Sequence, residues 1–549
     1  MSIQHPFKYN EQDKRTKVLL LSMPDTFMGF SLAAKLPNIG LVSIAANVDE
    51  NECIVGVADL VLRRHRVMSA LLNLLNRFKP QIVGLNSMTF QWPSARRIAK
   101  WIKQEYDSNI KIILGGYHAT TCYEEIGLNI EGAKNAPETD YNAMRTCPWA
   151  DFIVRGEGEE TFNEFIHEFN GNQSYFKVKG LSWRDEEGIM HHNERRPCLD
   201  LSKLKIPNRN ARLIKKTYHA AGKIADCVET SRGCPNACKF CSIREMYGRD
   251  AGIRYYELDR VIIDLIDCQK QGAQGIVFID DNITADPERF ELLCDRIIEE
   301  KKKGNLNKYM EFHTQASAYG LLARDSLIPK MGKAGFSVVF FGIENISKRN
   351  LQTFRKSIPN AEKLKTLVSK LHKYNMISFG GFIIGNPEDS LKDFENNFQY
   401  AKYLDLDVPA FQLLTPFPKT ELRDELLQQG LLINPYNYSK YHGLYANVKT
   451  QYLSPEIMQR EILRLYYRYY RPKWMLSRLK RIEIIKRYYK YMALIFKKYY
   501  KLAFSSWYKE NLNKKYYEKY NITSKKPENG VLKQFEYFRD VRLNDLFNK

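Results

Sequence analysis

Short apolar runs alternate with helical repeats twice along this chain, and that alternation confines it to parallel α/β architecture. In the first series KVLLLSM (17–23), CIVGVADL (53–60), QIVGLNSM (81–88), IKIILGG (110–116) and DFIVRGEGE (151–159) read as strands. IGLVSIAANVDE (39–50), VMSALLNLLNRF (67–78), PSARRIAKWIKQEY (93–106) and ETFNEFIHEF (160–169) read as helices. A Rossmann-like sheet of this kind takes ligands at the carboxyl ends of its strands. The second series runs IADCVET (224–230), GIVFIDD (275–281), YMEFHTQAS (309–317), SVVFFGIEN (337–345), ISFGGFIIGNP (377–387) and VPAFQLLTP (408–416), each strand followed by a helical stretch except the last. Six units fall short of the eight that close a TIM barrel, so an open, partial (βα)6 barrel with a cleft is expected. The division is a tail at 1–14, a first domain at 15–170, a linker at 171–215, a barrel at 216–420 and a helical, basic region at 421–549. An insertion at about 127–147 has no assigned role.

Compartment sets how the cysteines are read. The N-terminus is polar before its first apolar run, the wrong order for a signal peptide, and no apolar stretch approaches about 18 residues. A cytoplasmic chain is expected, with its ten cysteines mostly reduced. Crowded thiols in that setting point to metal or catalysis before disulfides.

SRGCPNACKFCSI (231–243) places Cys234, Cys238 and Cys241 within eight positions. The spacing does not match the common paired zinc motifs, and no second Cys or Cys/His pair accompanies it. Three thiolates leave one coordination position open, which suits a four-iron cluster; a small zinc site or three unrelated thiols fit the same residues. C-x3-C-x-aromatic-C, with Phe240 as the aromatic, follows the first barrel strand and resembles the radical S-adenosylmethionine (SAM) superfamily. The resemblance implies that the three cysteines hold three irons of a [4Fe–4S] cluster and that SAM chelates the fourth. It also implies SAM contacts at strand ends. GFIIGNPE (381–388) matches the family's G-x-I-x-G-x-x-E at Gly381, Ile383, Gly385 and Glu388; Glu344 ends GIE, and Asp280 and Asp281 end FIDD. Gln315 ends a further strand and is carried with them, and Gln412 ends the last. Alone, each also reads as a buried glycine strand or a helix-capping acid.

The first series resembles the cobalamin-binding domain found in one branch of that superfamily, the branch of anaerobic Mg-protoporphyrin ester cyclases and hopanoid methylases. Ser87, Gly115 and Gly116 match its landmarks, and Tyr117, His118, Gly156 and Glu157 are carried as contacts. His118 alone also reads as a structural contact. The D-x-H-x-x-G loop of many cobalamin domains is incomplete: Asp25 is present, but Phe27 stands where the His would be. The resemblance therefore implies base-off cobalamin without a lower His ligand.

The expected activity is cobalamin-dependent radical methylation of an unactivated carbon in a hydrophobic, lipid or tetrapyrrole-like substrate, through a 5′-deoxyadenosyl radical and methylcobalamin. A radical oxidative cyclase or other bond-forming enzyme on the same scaffold is the alternative. An external low-potential electron donor is the implied partner. The net charge of +21 concentrates at 461–510, which holds fourteen Lys and Arg against three Glu, with ten Tyr. Such a stretch (464–510) suits an anionic membrane surface, single-stranded nucleic acid, or helices packed with solvated basic faces. A non-catalytic binding protein that uses this tail is the reading from another class.

Overall fold

The computed structural model describes residues 13–25, 34–214, 217–249 and 251–469. The N-terminal part contributes β1 (Thr16–Ser22), β2 (Ala34–Lys35), β3 (Cys53–Asp59), β4 (Ile82–Asn86), β5 (Lys111–Gly115), β6 (Phe152–Val154), β7 (Leu181–Arg184) and β8 (Met190–His192). All but β2 form one sheet in the order β3-β1-β4-β5-β6-β7-β8, parallel from β3 to β6. Along β1, Leu19 and Leu21 enter one core and Val18 and Leu20 the other, because successive side chains point to opposite faces. The order places the topological switch between β1 and β4, where ligands of open α/β sheets bind.

The stretch expected as a linker is built into both halves. Its hairpin, β7 and β8, extends the first sheet antiparallel beyond β6. Leu213 N–H then donates to Val57 O on β3 at 2.8 Å. Arg209, with a side chain 1% exposed, donates to Asp264 at 2.6 Å and lies 3.3 Å from Asp226. A buried guanidinium needs such carboxylates, so this segment is pinned between the two sheets. The insertion is also packed: Trp92 and Arg96 donate to the carbonyls of Met144 and Thr146, each at 2.8 Å.

The second half supplies β9 (His219–Ala220), β10 (Lys223–Val228), β11 (Ser231–Gly233), β12 (Ile253–Tyr255), β13 (Gly275–Phe278), β14 (Glu311–Ala316), β15 (Phe336–Glu344), β16 (Ile377–Ile384) and β17 (Val408–Leu413). Six parallel strands run in order β10-β13-β14-β15-β16-β17, the incomplete barrel the sequence implies. Its first edge is extended antiparallel by β9 and then by β2, a strand from the other end of the chain. Its last edge is covered by the helix Pro455–Tyr469, whose Tyr466 hydroxyl donates to Phe411 O at 2.8 Å. Unpaired edges invite association, and both are blunted here.

Helix Glu421–Gln428 and the irregular stretch after it connect the halves, for Tyr438 and Tyr441 are buried in the core of the first sheet. Most of the basic tail, 470–549, and the loop carrying Phe27 lie outside the described residues. Among the described residues no helix is long and apolar enough to cross a membrane.

Candidate active site

The cysteine loop follows β10 through the ribbon β11–β12. Gly233, the residue before Cys234, has φ +94°, and a Cβ there would lie 2.3 Å from Gly252 O. Only glycine turns the chain here. Cys238 is buried and Cys234 and Cys241 are half-buried. Burial raises all three thiols, Cys241 to about 12, and the neighbouring sulfurs raise Cys238 and Cys241 further. Among the described residues no three His, Cys, Asp or Glu side chains are arranged to hold a single metal ion. A four-iron cluster takes each thiolate on a different iron and does not ask the sulfurs to converge on one point. This loop, with an open cavity beside it, fits that group better than it fits one zinc ion.

The cavity, about 440 Å³, lies against Asn236 and Cys238 and is lined by Asn282, Ser317, Gly342 and Lys356 at and beyond strand ends. Lys356 Nζ is 3.2 Å from Glu344 Oε1. Burial opposes its charge, but Glu344 and then Cys238 hold its ammonium above the ordinary range. Glu344 has φ +62° at a register shift in β15, and a Cβ on Gly342 would lie 2.1 Å from its carboxylate oxygen. Gly342 is what allows that carboxylate to fold back toward Lys356.

The expected SAM residues are placed unevenly. Asp281 is half-buried and accepts from Gly233 N–H at 3.1 Å. Burial raises it to about 7 against that bond, with help from Asp280 and Glu229. Asp280 is committed elsewhere, for it accepts from the hydroxyls of Thr230 and Ser231, both at 2.6 Å. Gln315 donates to Asp280 O. Phe240 stacks edge-on against Phe354, with Ile383 in the same cluster. The Phe340 ring covers Gly381, at 2.8 Å from a would-be Cβ. Gly385, φ +80°, turns the chain after β16. Glu388 points to solvent and pairs with Arg349 at 2.8 Å. The acid that organises this turn is the next one: buried Asp389 accepts from the N–H groups of Gly385 and Asn386, both at 2.9 Å.

At the carboxyl edge of the first sheet, a Cβ on Gly115 would meet nothing within 4 Å, and one on Gly156 nothing nearer than 3.8 Å. That open ledge fits the expectation of a large planar group resting on backbone. Gly116, φ +89°, presses against Asn86 and Ser87, which is itself buried. Tyr117 projects toward the cysteine loop: burial, then the charges of Asp281 and Cys241, raise its phenol well above the ordinary range. His118 is not on the ledge. It is fully buried between the rings of Trp92 and Tyr438, each centroid 4.6 Å away, and burial lowers it to about 3. Both carboxylate oxygens of Glu157 are taken by Arg232 and Arg254 of the cysteine ribbon, at 2.8 to 3.1 Å.

Residues 228–401 match the family model described as Radical SAM superfamily, and residues 26–134 match the one described as B12 binding domain. The chain thus carries a B12-binding domain and a radical SAM domain. It is 29% identical over 444 residues to an uncharacterized methyltransferase of Pyrococcus horikoshii, covering 80% of this chain and 89% of that one. It is 24% identical over 391 residues to an anaerobic magnesium-protoporphyrin IX monomethyl ester cyclase of Rubrivivax gelatinosus, over 70% of this chain and 64% of the cyclase. The structure of a radical SAM methyltransferase, TsrM from Kitasatospora setae, with cobalamin and a [4Fe-4S] cluster bound, superposes with a TM-score of 0.59. That match has 16% identity and covers 82% of each chain.

Within this radical SAM protein, reading the sequence missed Arg232, Asn282, Ser317 and Lys356. The first sits inside the motif itself, SRGC, and an arginine beside three cysteines was the available signal. Gly233→Ala is expected to cut iron loading on anaerobic reconstitution severalfold while far-UV circular dichroism stays native. The strain is local, about 1–3 kcal/mol for the backbone conformation plus the clash.

Proposed function

We propose that this radical SAM enzyme methylates an unactivated carbon of a hydrophobic substrate held between its two domains. Cys234, Cys238 and Cys241 would hold the cluster, the adjoining cavity would take SAM, and the ledge at Gly115 and Gly156 would take cobalamin without a lower His ligand. When bound, these groups supply a one-electron source, a hydrogen-abstracting adenosyl group and a methyl donor. The observation that carries the reading is the joint between the halves: the turn at Gly156 is tied by Glu157 to the cysteine ribbon, which supports one cleft shared by both sites.

The chain's own residues prepare that cleft. Lys356 offers a cation beside the cysteine loop. Phe340 and Phe379 meet edge-on at 5.2 Å. Val339 and Phe341, which flank Phe340 on β15, belong to the core under the helices, so Phe340 faces the barrel interior. An aromatic inner wall favours an apolar substrate and excludes water. An external low-potential donor would supply electrons, and a cytoplasmic setting agrees with ten free cysteines.

The test supplies anaerobically reconstituted protein with methyl-labelled SAM and candidate lipids or tetrapyrroles. Labelled product with 5′-deoxyadenosine is expected. Unlabelled product of lower hydrogen content would instead establish an oxidative cyclase, the reading that the Rubrivivax relative favours. A chain that loads no iron yet retains RNA would remove both.

A further inference from the structure

The cysteine loop is gripped by carboxylates that belong to the other domain. Arg232, two residues before Cys234 and 5% exposed, uses every edge of its guanidinium. It donates to Glu157 at 3.0 Å, to Glu159 at 2.7 Å and to Glu229 at 3.0 Å. Arg254, across the ribbon on β12, donates through both terminal nitrogens to Glu157. Glu159 also accepts from Ser43 Oγ at 2.7 Å, and Glu157 from Leu199 N–H at 2.8 Å. Glu159 is therefore fixed within its own domain, and Glu157 against the segment that joins the two halves. The helix Ile243–Tyr247, just after the third cysteine, is tethered from the same side. Arg195 donates to Met246 O at 3.1 Å and Cys198 Sγ to Tyr247 O at 3.0 Å.

We infer that Glu157 and Glu159 are positioning residues for the cysteine loop, acting through Arg232, and that they couple occupancy of the first sheet's ledge to affinity at the loop. This rests on the function proposed above. Gly156 lies on the open ledge with φ +75°, its N–H donating to Thr120 Oγ1 at 2.9 Å. A ligand seated on that backbone bears on the same four-residue turn, 156–159, whose carboxylates hold Arg232. Buried, forked ion pairs have few alternative arrangements, so a shift of the turn moves the loop instead of being absorbed. By linkage the effect is reciprocal.

The test uses the full chain, loaded anaerobically with iron and sulfide. Equilibrium dialysis with radiolabelled SAM is run with and without hydroxocobalamin. Electron paramagnetic resonance is recorded on the reduced, cobalamin-free protein. Hydroxocobalamin is expected to change the SAM dissociation constant of the wild-type chain by about fivefold or more. Glu157→Gln and Glu159→Gln are expected to bring that ratio near one and to alter the resonance line shape with iron content retained. Arg232→Lys keeps the charge without the fork, and is expected to retain iron but not the coupling. Glu160→Gln, exposed and paired with Arg196, is expected to behave as wild type. A wild-type ratio of one overturns the inference whatever the variants do. So do Gln variants with unchanged line shape and coupling. A wild-type chain that loads no iron, or binds no hydroxocobalamin, fails the proposed function instead.

Discussion

Cys238→Ser is expected to yield a folded chain that forms no detectable 5′-deoxyadenosine. Serine keeps the volume of the thiol within an oxygen-for-sulfur swap but binds iron poorly, since a cluster is held by thiolates. Cys238 lines the cavity and is 8% exposed, so the exchange costs little packing, about 1 kcal/mol. The loss of chemistry and the near-retention of stability separate a ligand from a core residue. Cys268→Ala is the opposite case. That thiol, on the helix Leu258–Lys270, is fully buried in the core of the barrel half. Its removal should lower the melting temperature by a few degrees and leave iron content and deoxyadenosine formation intact. The measurements are iron per chain, deoxyadenosine yield and thermal unfolding on the same preparations. Deoxyadenosine from Cys238→Ser would remove this residue from the cluster.

What the sequence made legible was local. Strands buried on both faces announce themselves as continuous apolar runs: CIVGVAD is buried at all seven positions of β3. The cysteine loop was legible for the same reason, since its three cysteines lie within eight residues. The rest is tertiary. Strand β2 has two residues and pairs with β9, some 185 positions along the chain, so no periodicity could reveal it. The segment at 171–215 looked irregular because its role is to carry Arg209 and Leu213 between two sheets rather than to repeat. Glu157 was expected on a ligand face because it ends a strand. Its partner Arg232 is 75 residues away, and only the assembled structure shows that the carboxylate is already used. Glu388 and Asp389 are adjacent acids in one turn. Which of them faces inward depends on Asn350, whose side-chain amide donates to Asp389 at 2.9 Å.

Lys356→Met is expected to weaken SAM binding by about ten- to a hundredfold, the loss of one to two charge-assisted contacts. The ammonium lines the cavity and carries the positive charge nearest Glu344. Its removal has a second consequence, because it strips a buried carboxylate of its ion-pair partner, a change worth up to about 3–5 kcal/mol. The pH dependence separates the two effects. Burial already raises Glu344 above its ordinary value, with Lys356 opposing the rise. Without Lys356 the rise is larger, so the folded chain holds that proton more tightly than the unfolded chain does. Such a group stabilises the fold below the unfolded carboxyl value, and that stabilisation is lost as pH rises through the folded value. Lys356→Met should therefore melt lower at pH 8 than at pH 5, relative to wild type. Adding Glu344→Gln removes the buried charge, and the double variant should recover most of the stability at pH 8. It should not recover SAM affinity, since the cation is still missing. Recovery of both would make Lys356 a partner of Glu344 alone, with no part in holding the ligand; a Lys356→Met chain that binds SAM as wild type would do the same.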